Sequence, residues 1–175
     1  TAVALSLSAG PTTEVALLPG GRRVLLSSGE LIDVEAGTLR PRALGGALAA
    51  PVIGRSGSAV VGTTPAGVAE APLPSGTPLR TLAEGAAEPA LSPDEALLAF
   101  VRREGRASEL WVSARDGSAP RRVARGESAH WAWPAFSADG SSLLFYAVER
   151  SGPNAGTGVL FEVRLGDGTP LPYGP

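Results

Sequence analysis

Apolar and polar positions alternate along this chain in a pattern that recurs four times. Four segments align without gaps: Val15 to Leu26 (VALLPGGRRVLL), Pro51 to Gly62 (PVIGRSGSAVVG), Pro89 to Phe100 (PALSPDEALLAF) and Pro134 to Phe145 (PAFSADGSSLLF). Each has a short apolar entry, a polar turn and an apolar run. A further apolar run follows at Leu31 to Val34, Gly67 to Glu70, Leu110 to Ser113 and Leu160 to Val163. Gly-centred turns come next: Glu35-Ala36-Gly37, Pro74-Ser75-Gly76, Arg115-Asp116-Gly117 and Gly166-Asp167-Gly168. Gly and Asp accept positive φ at little cost, so these read as tight hairpins. Short stretches at Leu39-Arg40, Leu79 to Leu82 and Arg121 to Ala124 close the units. Each unit therefore predicts strand, turn, strand, loop, strand, turn, strand.

The first members of the aligned segments are 36, 38 and 45 residues apart. Four strands every forty residues or so is the spacing of β-propeller blades. The expected fold is all-β: one propeller domain or segment over residues 1–175. Its parts are a partial unit at 1–14 and about four blades at 15–50, 51–88, 89–133 and 134–175. The third and fourth units carry more than rhythm. Ser92-Pro93-Asp94, Leu97 to Val101, Ser108 to Val112, Asp116-Gly117 and Pro120 to Val123 resemble the WD40-like (PD40) repeat of TolB-type propellers, and Ser137-Ala138-Asp139-Gly140 with Leu143 to Phe145 is similar. The first two units keep the pattern without the signature: Leu18-Pro19-Gly20-Gly21 and Gly54-Arg55-Ser56-Gly57 stand where Ser-Pro-Asp-Gly belongs. Glu95 departs from the family's glycine.

A rival local reading exists at Ser92 to Glu95, a passable capping box with Pro at the first helical position and helix formers behind it. The aligned Gly140 to Tyr146 is a poor helix, and equivalent positions should share a fold, so a strand is expected. Asp94 and Asp139 are then turn residues that accept nearby backbone N–H groups.

Ring closure has two solutions. The N-terminal run Ala2 to Leu7 supplies the outer strand of the last blade and closes a four-bladed ring, or this is part of a larger ring of six to eight blades. The second is preferred, because the resemblance implies a ring that is usually six-bladed; the missing blades would come from further sequence or another chain. The chain starts at Thr1 without Met, so it is expected to be processed or a fragment.

Composition narrows the chemistry. The net charge is −2, with no basic stripe or acidic tail, so nucleic acid is a poor partner. All fifteen basic residues are arginine, and pairs such as Arg102-Arg103 read as solvated strand faces. Gly and Pro exceed a fifth of the chain, but they punctuate short apolar runs, as in all-β proteins. Cysteine is absent, so disulfides and thiolate chemistry are excluded. No run approaches the length of a membrane-spanning helix. His130 is the only histidine; alone it builds neither a common zinc site nor, without a Gly-x-Ser-x-Gly elbow, an evident triad. The sequence thus points to no metal, cofactor or catalytic residue.

What stands out is aromatic clustering. Trp131 and Trp133 flank the entry to the fourth unit beside His130, and Glu14, Ala50 and Glu88 hold the position before the other units. In a propeller the first strand of each blade lines the channel, and the connection into it lies at a channel mouth. His130, Trp131, Trp133 and Glu88 are therefore the candidate partner- or ligand-binding residues, suited to a peptide or a basic side chain. The plainer alternative has Trp133 point inward as inter-blade core while Trp131 covers the edge. Trp111, Phe161, Phe100, Phe136 and Phe145 are expected in the core. The insertion Glu149 to Gly158 is a binding loop or merely a long one.

These features imply a non-enzymatic protein-interaction scaffold, periplasmic or extracellular as many TolB-like propellers are, whose partner is another protein, a peptide or a chain completing the ring. Two other classes stand beside it: the substrate-gating propeller portion of a prolyl-oligopeptidase-like serine hydrolase, and a propeller that binds a sugar or small ligand.

Overall fold

The computed structural model describes residues 48–73, 78–153 and 155–174 throughout, and the backbone of four strands between residues 15 and 43. Every regular element among them is a β-strand. The strands form four antiparallel sheets, each a meander of four consecutive strands. The first contains β1 (Val15–Leu17), β2 (Arg23–Leu26), β3 (Glu30–Glu35) and β4 (Thr38–Ala43). The second contains β5 (Ala49–Ile53), β6 (Ala59–Thr64), β7 (Gly67–Pro72) and β8 (Arg80–Glu84). The third is β9 (Ala86–Leu91), β10 (Leu97–Glu104), β11 (Ala107–Ala114) and β12 (Arg121–Gly126). The fourth is β13 (Ala129–Phe136), β14 (Ser142–Glu149), β15 (Gly158–Arg164) and β16 (Leu171–Pro172). The fourth position of the last sheet is thus held by β16 and not by the N-terminal run. The partial unit expected over residues 1–14 and the turn segments 18–21 and 74–76 lie outside the described residues.

The stretch with the capping-box signal is a strand. Ser92 Oγ accepts from the Leu97 N–H (2.9 Å) and donates to Asp94 Oδ1 (2.5 Å), which also accepts from the Ala96 N–H (3.0 Å). Ser137 and Asp139 repeat this arrangement, with the Ser142 N–H on Ser137 Oγ (3.0 Å) and the Ser141 N–H on Asp139 Oδ1 (3.0 Å). The Ser137 hydroxyl, followed by the Ser141 N–H and hydroxyl, holds the Asp139 carboxyl down to about 2. Residues that would cap a helix here close a hairpin, because their N–H partners belong to the outgoing strand.

The family's glycine position also has a physical reason. Gly140 has φ 73°, and Glu95, aligned with it, is forced to φ 59°. The Glu95 side chain has a partner, however: its carboxylate accepts from the Ser56 N–H (2.7 Å) and the Ser56 hydroxyl (2.9 Å) of the preceding blade.

The sheets pack face to face. Val61, Val68 and Leu82 of the second meet Leu98 and Phe100 of the third. Val101, Leu110 and Val112, on the opposite face of the third, meet Trp131, Leu143 and Phe145 of the fourth. Phe100 and Phe145 occupy the same repeat position, and both are fully buried in their seams; Trp111, Phe136 and Phe161 are partly buried beside them. Polar ties cross the seams as well. Arg115 reaches Glu70 (2.6 Å), and Arg121 donates to the Leu165 carbonyl (3.0 Å).

Phe145 is clasped between Trp131 and Phe161, with ring centroids 4.7 and 5.7 Å away. Phe145→Ala is expected to lower stability by about 3–5 kcal/mol, read from equilibrium urea unfolding. A loss below about 1 kcal/mol, the scale of a surface change, would show that this seam does not hold the blades together.

Candidate functional site

The innermost strands of three successive blades share one irregularity. The residue before the proline is left-handed in each: Ala50 (φ 47°), Glu88 (φ 54°) and Trp133 (φ 51°). Strand register shifts at the same places. An innermost strand is a sheet edge, so it tolerates both a proline, which has no N–H, and a bulge. The bulge also explains why β5, β9 and β13 begin two to five residues ahead of the expected limits at 51, 89 and 134: the strand continues through the kink.

At Glu88 and Trp133 the bulge turns a backbone N–H out of its ladder, and the preceding blade caps it. The Glu88 N–H donates to Thr63 Oγ1 (2.9 Å), and the Trp133 N–H donates to Glu88 Oε2 (2.7 Å). Glu88 Oε1 accepts from Arg103 Nη2 (2.6 Å), which also lies 3.0 Å from His130 Nε2. Arginine offers only donors, so Nε2 is the acceptor and the imidazole is neutral, with its proton on Nδ1. Burial first, then the Arg103 charge, holds the His130 pKa below its usual 6.5; Glu88 pulls it up and Arg150 presses it down.

The structure therefore brings Glu88, His130 and the backbone of Trp133 into one cluster. Both Glu88 oxygens are engaged, one by a guanidinium and one by a backbone amide. The residue that joins the cluster is Arg103. Spacing could not identify it, because β10 and β13 meet only when sheets stack.

The two tryptophans separate. Trp131 is buried, with 6% of its surface exposed, against Phe145 and over Gly126, where a Cβ would come within 2.4 Å of the indole. Its edge lines a crevice of about 180 Å³ shared with Val159 and Phe161. Trp133 is 68% exposed and stacks on Tyr146, centroids 5.8 Å apart and planes 22° apart. This reverses the inward Trp133 and edge-covering Trp131 that alternation suggests, because the bulge changes the phase of the strand.

Trp133 belongs to a larger surface, the face of the last sheet turned away from the third blade. Register puts Tyr146 opposite Leu160 and Leu144 opposite Glu162, and Glu162 opposite Leu171. Tyr173 donates its N–H to the Leu160 carbonyl and extends the same row. Leu171 is 64% exposed and Tyr173 55%. Of the five exposed large apolar side chains among the described residues, only Val159 lies on the other face. At the opposite end of the inner strands, the three hairpin turns surround a cavity of about 380 Å³ lined by Ile53, Leu91, Pro93 and Phe136. Among the described residues, no three His, Asp or Glu side chains gather to hold a metal ion, and no helix is long and apolar enough to cross a membrane.

Stacked four-stranded meanders agree with solved structures. The chain superimposes on TolB from Acinetobacter baumannii with a TM-score of 0.63 at 14% identity, covering 91% of this chain and 40% of that one. The fold is a β-propeller. A chain of the nidogen/laminin complex matches with a TM-score of 0.67 at 15% identity, covering 92% of this chain and 64% of that one. An oligogalacturonate lyase in complex with manganese matches with a TM-score of 0.64 at 15% identity, covering 94% and 54%. The chain thus spans between two fifths and two thirds of these propeller-containing chains. No protein-family model matches it, and no curated protein is similar to it in sequence.

Two outcomes follow from the cluster. Glu88→Ala strands the Trp133 N–H and the Arg103 guanidinium, and is expected to cost about 1–3 kcal/mol in urea unfolding; Glu88→Gln, which keeps an acceptor for the N–H, costs less. Equal losses in the two variants would show that the cap does not matter. The folded pKa of His130 lies below its unfolded value, so the unfolded chain takes the proton first. Its contribution is complete above pH 6.5 and is lost as pH falls through the folded pKa. Wild-type stability should decline as pH falls below 6.5, and His130→Gln, which keeps an acceptor for Arg103, should flatten that decline. Identical pH profiles would remove His130 as the cause.

Proposed function

We propose that this chain is a non-enzymatic protein-interaction scaffold of propeller type, working outside the cytoplasm, and that its partner seats on the outward face of the last blade. One observation carries the reading: Trp133, Leu160, Leu171 and Tyr173 share one solvent-exposed face of the last sheet, with the half-buried Tyr146 beneath the Trp133 ring and Glu162 opposite Leu171. Exposed apolar surface of this kind, rimmed by polar groups, marks interaction sites. Tryptophan and tyrosine are also frequent interface anchors.

The local structure supports the choice of Trp133 as anchor. Its left-handed backbone is fixed by the Glu88 cap, and its ring by the stack on Tyr146. A side chain held in place before binding loses little entropy on binding. Glu88, Arg103 and His130 serve as its support, since their polar atoms are spent on one another and on the Trp133 N–H. That the similar nidogen chain was solved in a complex with laminin agrees with a propeller used for protein contact.

The test is quantitative affinity capture with the intact protein, comparing wild type with Trp133→Ala and with Arg106→Ala, a change in the exposed β10–β11 turn. Partners held by wild type and by Arg106→Ala should fall by roughly tenfold or more with Trp133→Ala. Equal recovery by all three proteins would overturn the placement of the surface.

A further inference from the structure

Three arginines among the described residues bury a side-chain nitrogen that finds no acceptor: Arg102 Nε, Arg115 Nη1 and Arg150 Nε. Two of the three are compensated. Arg115 reaches the Glu70 carboxylate (2.6 Å), and the Arg102 guanidinium lies over the rings of Trp111 and Phe100, 4.9 and 5.4 Å from their centroids. Arg150 has no such partner. It opens the insertion after β14, held by its backbone N–H on the Ser128 carbonyl (3.2 Å) and by Nη2 on Ser108 Oγ (3.2 Å). Ser108 is fully buried in the third blade, and its hydroxyl is saturated, since it also donates to the Ala129 carbonyl and accepts from the Trp131 N–H. No carboxylate of the described residues forms an ion pair with Arg150: Glu104 and Glu127 serve Arg125, and Glu149 lines the crevice beside Trp131.

A guanidinium drawn part-way into a seam and bonded only to a neutral oxygen is short of a counter-charge. The same seam holds Arg103 and His130, and its carboxylate, Glu88, is matched by Arg103 (2.6 Å). Two guanidiniums thus stand against one carboxylate. The bonds of that cluster use His130 Nε2 and leave an Nδ1–H that meets no acceptor among the described residues. Arg150 is near enough to His130 for its charge to press on the ring.

We infer that the seam between the third and fourth blades binds the carboxylate of a small organic acid, held by Arg150 and by the His130 Nδ1–H. One uncompensated positive charge calls for a monoanion, and a planar carboxylate matches the guanidinium fork. A phosphate dianion would overshoot the balance beside Glu88. The site lies on the face of the last blade turned toward the third, so it does not depend on the outward face around Trp133.

His130 is the sole histidine, so its ring signals in a proton–nitrogen correlation spectrum report on the site without ambiguity. The full chain is titrated with sodium acetate, with sodium chloride at matched ionic strength and with inorganic phosphate. Acetate is expected to move the ring signals along a saturable curve, and chloride is not. Arg150→Gln should weaken acetate binding by roughly tenfold or more, while Arg106→Gln, in the exposed β10–β11 turn, binds as wild type does. Acetate should also raise the melting temperature of wild type and leave that of Arg150→Gln unchanged. A ring shift that follows ionic strength alone, the absence of saturation, or equal affinity in wild type and Arg150→Gln overturns the site. Phosphate binding more tightly than acetate overturns the carboxylate. If circular dichroism shows that Arg150→Gln is unfolded, Arg150→Lys takes its place, keeping the charge without the fork, and equal affinity there overturns the site in the same way.

Discussion

The seam between neighbouring sheets is the interaction on which everything else in this molecule depends. Phe100 and Phe145 stand at one repeat position in successive blades, and each is buried against the far face of the sheet before it. A sheet that is apolar on both faces has to be covered twice. The third blade meets that requirement, with Leu98 and Phe100 on one side and Val101, Leu110 and Val112 on the other. The fourth blade meets it once. Its solvent-facing apolar side chains are therefore a consequence of the repeat, standing on the face that in the third blade is covered by the next sheet. The edge problem of a single strand, an unpaired ladder that invites pairing, reappears here at the level of whole sheets.

The seam also explains the polar chemistry. Stacking brings each inner-strand bulge beside the blade before it, so the N–H that the bulge releases finds its acceptor there. Thr63 serves Glu88, and Glu88 serves Trp133. Bulge and cap form a relay of two links from the second blade to the fourth. The relay fixes what Glu88 can do. Its carboxylate carries an arginine and an amide at once, which suits a brace. His130 is likewise committed, its Nε2 taken by a guanidinium. At the turn end Glu95 makes the corresponding tie to Ser56, a contact open to a side chain and closed to the glycine of the repeat signature.

The strands and their grouping were legible in the sequence because they depend on local signals. Apolar runs of five or six residues, bounded by Asp-Gly or Ser-x-Asp turns, specify hairpins wherever they occur, and the period then specifies the blades. The helical reading of Glu95 to Glu104 failed on the same local ground: Ser92 and Asp94 offer acceptors that a hairpin uses as readily as a helix. At the candidate site the sequence located Glu88, His130 and Trp133 together through their place before the fourth and third entries. It could not assign their roles. Trp131 and Trp133 exchange places because of one added residue at Pro134, and alternation cannot register such a change of phase. Arg103 was unreadable for a different reason, since it meets His130 across a seam twenty-seven positions away in the chain.

The backbone at Trp133 ties these threads together. A left-handed conformation at a bulky residue costs on the order of 1–3 kcal/mol, and the repeat imposes it at the three described blade entries. Ala50 bears it with little side chain to place. At Glu88 the side chain spans to the next blade. At Trp133 the fourth blade has no described neighbour on its outer side, so the indole lies along its own sheet on Tyr146 and awaits a surface. The same bulge is therefore silent at one blade, a brace at the next and the base of an exposed indole at the fourth. What differs among the three is only what the next sheet provides.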